Sequence, residues 1–190
     1  MKYITLVAAL LCATIFHASA QSGVVVKGGL VWNDYLRDNQ SILQYSQAGS
    51  TLGLDVRLGA EDNTYFKLGG YYLKMHMMSQ DHSQETHFFK VKNGYELLKA
   101  TCGVESRLVV LRNFNWRLAV MGAFSFISGV KGSVSQDDLS SGMFAVHLTT
   151  GIDLSFMSLD LALEPGLTDF LKAIEDTKPF MMMLTTGFRF

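Results

Sequence analysis

Thr51-Leu52-Gly53-Leu54-Asp55-Val56-Arg57-Leu58-Gly59 alternates without a break. Leu52, Leu54, Val56 and Leu58 fall on one face, and Thr51, Gly53, Asp55, Arg57 and Gly59 on the other. A period of two marks a β-strand, because successive side chains of an extended chain point to opposite sides. Working outward, the pattern recurs at Gly23–Asp34, Ser50–Ala60, Thr64–Met78, Tyr95–Leu111, Phe114–Val130, Gly142–Ser155, Ser158–Thr168 and Lys178–Phe190. Strands of soluble proteins run to about 5–6 residues, whereas a tilted membrane strand needs about 9–11. These segments have the membrane length.

Tight connections at Glu61-Asp62-Asn63, Arg112-Asn113 and Phe156-Met157 alternate with longer polar ones at Tyr35–Gln47, Ser79–Gly94, Lys131–Ser141 and Asp169–Thr177. That alternation is the plan of an all-β, eight-stranded antiparallel up-and-down transmembrane β-barrel, with short turns on one rim and long loops on the other. A soluble barrel with its apolar face inward gives the same period, so the chemistry of each face decides. The polar face is rich in small residues, such as Gly53, Gly59, Gly69, Gly103, Thr149, Gly151, Thr185 and Gly187, and lacks the Lys/Glu density of a solvated exterior. Small side chains suit the crowded interior of an eight-stranded barrel. The apolar face carries aromatics at both ends, with Trp32, Tyr72, Phe126, Phe144 and Phe180 near the long connections and Phe66, Trp116, Phe188 and Phe190 near the short ones. Aliphatic residues such as Leu54, Val104, Val120, Leu148 and Leu163 fill the band between. Two aromatic girdles around an aliphatic belt match the two interfaces of a bilayer.

The 190 residues are 48% hydrophobic but only 17% charged, with a formal net charge of −1, so the basic excess of a nucleic-acid binder is absent. Residues 1–20 read as a signal peptide: Lys2, an apolar run from Ile4 to Phe16, then Ala18-Ser19-Ala20 before the cut. Leu11 stands where a lipoprotein signal preceding Cys12 wants a small residue. Residues 21–190 then form one barrel domain, exported to the outer membrane, with Cys102 as its single thiol and so no internal disulfide. Beyond Gln21 no apolar stretch is long enough for a membrane-spanning helix.

Phe188 and Phe190 share a face of the last segment and resemble the C-terminal signal read by the barrel-assembly machinery. Gly28-Gly29-Leu30, the run Val104-Glu105-Ser106-Arg107-Leu108-Val109-Val110-Leu111 and Gly166-Leu167-Thr168-Asp169 give the chain a further likeness. It resembles the PorT-like outer-membrane β-barrel family of the Bacteroidetes group. The resemblance implies an integral outer-membrane barrel, in a family where most members lack a defined activity and a few serve secretion or gliding machinery; an envelope protein partner is left unidentified.

Parity sends Lys27, Asp55, Arg57, Lys67, Lys99, Glu105, Arg107, Arg117, His147, Asp153, Asp160, Glu164 and Arg189 inward. Charges in a narrow lumen are costly unless paired, so Asp55, Arg57, Lys67, Glu105, Arg107, Arg117, Asp153, Asp160 and Arg189 are expected to form a structural ion-pair network. Pairing about Phe156-Met157 sets Asp153 opposite Asp160, with Arg189 completing a cluster of three. Two carboxylates can share a proton for acid–base work, but the facing arginine favours a structural role. His147 has no serine beside it on its face, so a hydrolytic site is not assigned. His82 and His87 lie in the second long connection without a rigid scaffold for a metal. No phosphate loop, nucleophile elbow or cofactor motif is present. The expectation is a non-enzymatic, cofactor-free barrel that acts as an anchor or interaction platform. A lipid-modifying enzyme and a soluble ligand-binding barrel are the alternatives.

Overall fold

The computed structural model describes residues 23–37, 40–41, 48–59, 63–76, 94–131, 140, 142–169 and 178–190. Each alternating segment forms a strand: β1 Gly23–Arg37, β2 Ala48–Leu58, β3 Thr64–His76, β4 Gly94–Leu111, β5 Phe114–Lys131, β6 Gly142–Leu154, β7 Met157–Pro165 and β8 Lys178–Arg189. A two-residue rung, Gln40–Ser41, continues the far end of β1 by pairing with Leu36 and Arg37. Every strand runs antiparallel to its neighbours in sequence. The sheet closes because β1 pairs with β8, from Val25 opposite Arg189 to Leu36 opposite Lys178. Closure leaves neither strand of the seam with an open edge.

Side-chain parity is as the alternation predicts. Asp55 and Arg57 are buried in the interior, while Leu52 and Leu54 stand on the outside. Val104, Val120, Leu148 and Leu163 are exposed, so the soluble alternative, which needs Leu54, Val120 and Leu148 inward, does not hold. Along β5 the outward residues run from Trp116 to Phe126. Ten residues at about 3.3 Å each, tilted by about 40°, span about 25 Å of height, the depth of an outer-membrane apolar band.

The hairpin turns set the register. Arg112-Asn113 joins β4 to β5 as predicted, with Leu111 paired to Phe114. The last tight turn is Ser155-Phe156, one residue earlier than predicted, with Ser155 at φ 56° and Leu154 paired to Met157. That single step changes what faces what: Asp153 pairs with Ser158, and Asp160 with Gly151, so Asp153 and Asp160 are not opposite each other. β7 also stops at Pro165, short of the predicted Thr168. Pro165 has no N–H to give, so the β6–β7 ladder lapses after Leu148–Leu163 and resumes with one bridge from Ala145 to Gly166.

The long connections 38–47, 77–93, 132–139 and 170–177 lie mostly or wholly outside the described residues, and with them His82 and His87. So do residues 1–20 and the first tight turn's 60–62.

Candidate functional site

The lumen is filled by charge at the short-turn end and by hydrocarbon at the other. Arg57 and Arg117 point inward from β2 and β5. Arg57 Nη1 lies 3.0 Å from Asp153 Oδ2, and its Nε 3.4 Å from Glu105 Oε1. Arg117 is the hub: Nη1 donates to Glu105 Oε2 at 2.9 Å, and Nη2 reaches Asp160 Oδ1 at 2.7 Å and Asp153 Oδ1 at 3.0 Å. Lys67 Nζ sits between Glu105 (2.8 Å) and Asp55 (3.1 Å), and Lys27 Nζ bridges Asp55 and Asp160. Tyr65 and Tyr71 add hydroxyl donors to Glu105 and Asp55. All these groups are buried. Burying ions this deeply is tolerable only where each meets an opposite charge and hydrogen bonds, and here the pairs interlock into one web spanning β1 to β7.

Glycine makes room for it. A Cβ on Gly151 would stand 1.9 Å from Asp160 Oδ1 and 3.0 Å from Arg117 Nη2, so any side chain there would displace the carboxylate that Arg117 holds.

Arg107 falls outside the web, and Arg189 reaches only its edge. A bulge between Arg107 and Val109 turns β4 at its end, and Arg107 lies over the Tyr65 ring at 5.1 Å, with no carboxylate in ion-pair range among the described residues. Arg189 sits at the rim with 36% of its side chain exposed. It donates to the Ser155 carbonyl at 2.8 Å and comes no closer than 3.8 Å to Asp153. The expected trio of Asp153, Asp160 and Arg189 is therefore not formed. The shifted turn places Asp160 one rung-pair deeper, where Arg117 takes the bridging role.

A second polar cluster lies deeper. Glu164 Oε2 accepts from Lys99 Nζ and is hydrogen-bonded to His147 Nδ1, both at 2.7 Å. Among the described residues no serine or cysteine is bonded to His147, so they assemble no nucleophile–base pair there. No group of three or more metal-ligating side chains gathers among the described residues. Above this cluster the lumen turns apolar. Val31, Leu73, Met75, Tyr95, Leu97, Ile127, Met143, Met181 and Met183 pack together with almost no exposure. The composition of the inward face does not foretell this layer, although sequence carries its signal. From Lys67 to Met75 the inward positions change from Lys67 through Gly69 and Tyr71 to Leu73 and Met75, while the outward ones keep Tyr72 and Lys74.

The outward face carries the expected rings: Phe126 and Phe144 toward the long connections, and Phe66, Trp116, Phe188 and Phe190 toward the short turns. Phe124 and Phe144 touch at 4.8 Å between centroids, and Phe156 stacks on Phe188 at 6.2 Å. Trp116 Nε1 satisfies itself on Thr150 Oγ1 at 2.9 Å, as an indole facing hydrocarbon must.

Among solved structures, Neisserial surface protein A is similar over 90% of this chain and 98% of its own, with a TM-score of 0.57 and 7% identity. The fold is that of a small outer-membrane β-barrel. The outer membrane protein OprG of Pseudomonas aeruginosa (TM-score 0.48, 11% identity) covers 89% of this chain and 96% of its own. The attachment invasion locus protein Ail of Yersinia pestis (0.47, 13%) covers 90% and 100%. No protein-family model and no curated relative matches the chain, so the PorT-like resemblance finds no support beyond the shared architecture.

Proposed function

We propose that this chain is an integral outer-membrane barrel with a closed lumen, a non-enzymatic anchor or platform that presents its long connections outside the cell. The observation that carries the reading is the filling of the lumen. Interlocked ion pairs around Arg117 occupy one end and the Leu73–Leu97–Met183 cluster the other, a filling that suits a plugged barrel rather than an open channel. Open channels belong to barrels of about 16–18 strands. Purified protein in planar bilayers is therefore expected to pass no steady current, and a stable, reproducible conductance step would overturn the reading.

The membrane setting is supported by the aromatic rings and the aliphatic belt between them. Cys102 supplies a test without mutation, because it is an exposed thiol on the outward face of β4. In intact envelopes a membrane-impermeant maleimide should leave Cys102 unlabelled until detergent is added. Prompt labelling would place that face in water. Service to a secretion or envelope machine is the role that the PorT-like resemblance implies, and Phe188 and Phe190 at the end of the last strand suit recognition by barrel-assembly machinery.

A further inference from the structure

On β3, β4 and β5 the outward positions are uncharged from Phe66 to Tyr72, from Val104 to Leu98 and from Trp116 to Phe126. At the long-connection end charge then appears on all three strands together, as Lys74, Glu96 and Lys131. Lys74 is the register partner of Glu96 across the β3–β4 ladder. Lys131 Nζ meets Glu96 Oε1 at 2.8 Å, and Lys74 Nζ lies over the Tyr72 ring, 5.7 Å from its centroid.

A bulge builds this grouping. Glu96 pairs with Gly129 but Leu97 with Ile127, so Ser128 is an extra residue on β5. Strict alternation would give Lys131 the parity of Ile127 and drive it into the apolar end of the lumen. The extra residue instead turns Val130 onto the inner cluster and Lys131 outward, with 51% of its side chain exposed. Ser128 Oγ pins the bulge by donating to the Glu96 carbonyl at 3.2 Å. Gly129 leaves bare backbone beside the carboxylate, since a Cβ there would stand 3.4 Å from Glu96 Oε2.

Depth and charge name the occupant. Two residues separate Lys74 from Tyr72 and Glu96 from Leu98, about 5 Å of height on a tilted strand. The trio therefore stands just outside the row of Tyr72, Phe126 and Phe144, at the level of lipid headgroups. Glu96 holds the two ammonium groups in one patch and offsets only one of them, so the trio faces the lipid with a positive charge in excess. An ammonium binds phosphate as a point charge, and basic side chains at this depth draw anionic lipids.

We infer that Lys74 and Lys131, gathered by Glu96, seat the phosphate of an anionic lipid in the outer leaflet, with its acyl chains running down over Leu98 and Phe126. The inference rests on the outer-membrane reading above, which places this rim in that leaflet.

Native mass spectrometry of the barrel, released from nanodiscs that contain phosphatidic acid and phosphatidylcholine in equal amounts, counts the lipids retained. A single phosphatidic acid is expected to stay bound in preference to phosphatidylcholine. Lys74→Gln and Lys131→Gln should each weaken its retention about fivefold, the worth of one lysine near an anionic surface. Lys178→Gln, which removes an exposed cation at the same rim on β8, should leave retention unchanged. Equal retention of the two lipids, no loss in the Lys74 and Lys131 variants, or the same loss in all three overturns the inference. So does displacement by excess inorganic phosphate, which would mark a site for free anions. Phosphatidylcholine brominated on its acyl chains separates the two readings, because it should quench Trp116, exposed on the outward face, in a Trp32→Phe background. Quenching without a preference for phosphatidic acid means that the seat fails while the outer-membrane reading stands. An unquenched Trp116 defeats the outer-membrane reading and the seat with it.

Discussion

Replacing Arg117 with alanine should cost the barrel about 3–5 kcal/mol, the range for breaking a buried ion pair by removing one partner. The penalty is high because the guanidinium serves Glu105, Asp153 and Asp160 together. Without it, carboxylates that cannot reach water keep Arg57, Lys67 and Lys27 to share among the described residues, with Arg189 at 3.8 Å from Asp153. Unfolding in guanidinium from lipid vesicles, alongside heat-modifiable gel mobility, measures the loss. Arg189→Ala is the internal comparison. Its ion pair is 3.8 Å long and partly exposed, so it should change stability by no more than about 1 kcal/mol. If the two variants behaved alike, the lumen web would not be what holds the strands in register.

The second large effect lies on the opposite face. Val120 is 56% exposed and sits midway between Trp116 and Phe126 on β5. At the bilayer midplane an arginine on the lipid face costs about 2–4 kcal/mol, falling to about 0–1 near the interfaces. Val120→Arg is therefore expected to destabilise the folded barrel by that larger amount, and Phe126→Arg by the smaller. The same vesicle unfolding series reads both. Equal tolerance at the two positions would mean that depth does not matter along this strand, and that no bilayer surrounds it.

Both effects trace to a period of two, the part of the fold that the sequence states openly. One buried face forces strict alternation, and a slip of one residue would turn Asp55 and Arg57 out and Leu54 in. Strand number, order and face were therefore legible. Register was not, because it depends on where a turn places its residues. A shift from Phe156-Met157 to Ser155-Phe156 moved Asp160 away from Asp153 and gave it to Arg117. The bulge after Arg107 is likewise invisible to alternation, and it removed that arginine from the charged web. Lys27, Lys99, His147 and Glu164 were placed inward by parity, but their pairing needed the three-dimensional shear of the strands, which brings Lys99 from β4 across the lumen to Glu164 on β7. The apolar layer was hidden for a different reason: alternation says which side chains point inward, not that the inward ones change along the strand from Lys67 to Leu73 and Met75.

The seam between β1 and β8 has a consequence for biogenesis. The first strand to be synthesised cannot complete its backbone bonding until the last has been delivered, since Val25 waits for Arg189 and Leu36 for Lys178. Nothing along the way is a stable stopping point. A partial sheet would show its carboxylates to lipid on one surface and raw strand edges at both margins. Such a chain must travel as an unfolded whole and commit to its shape in one concerted event, and its length is checked by whether the cylinder can shut.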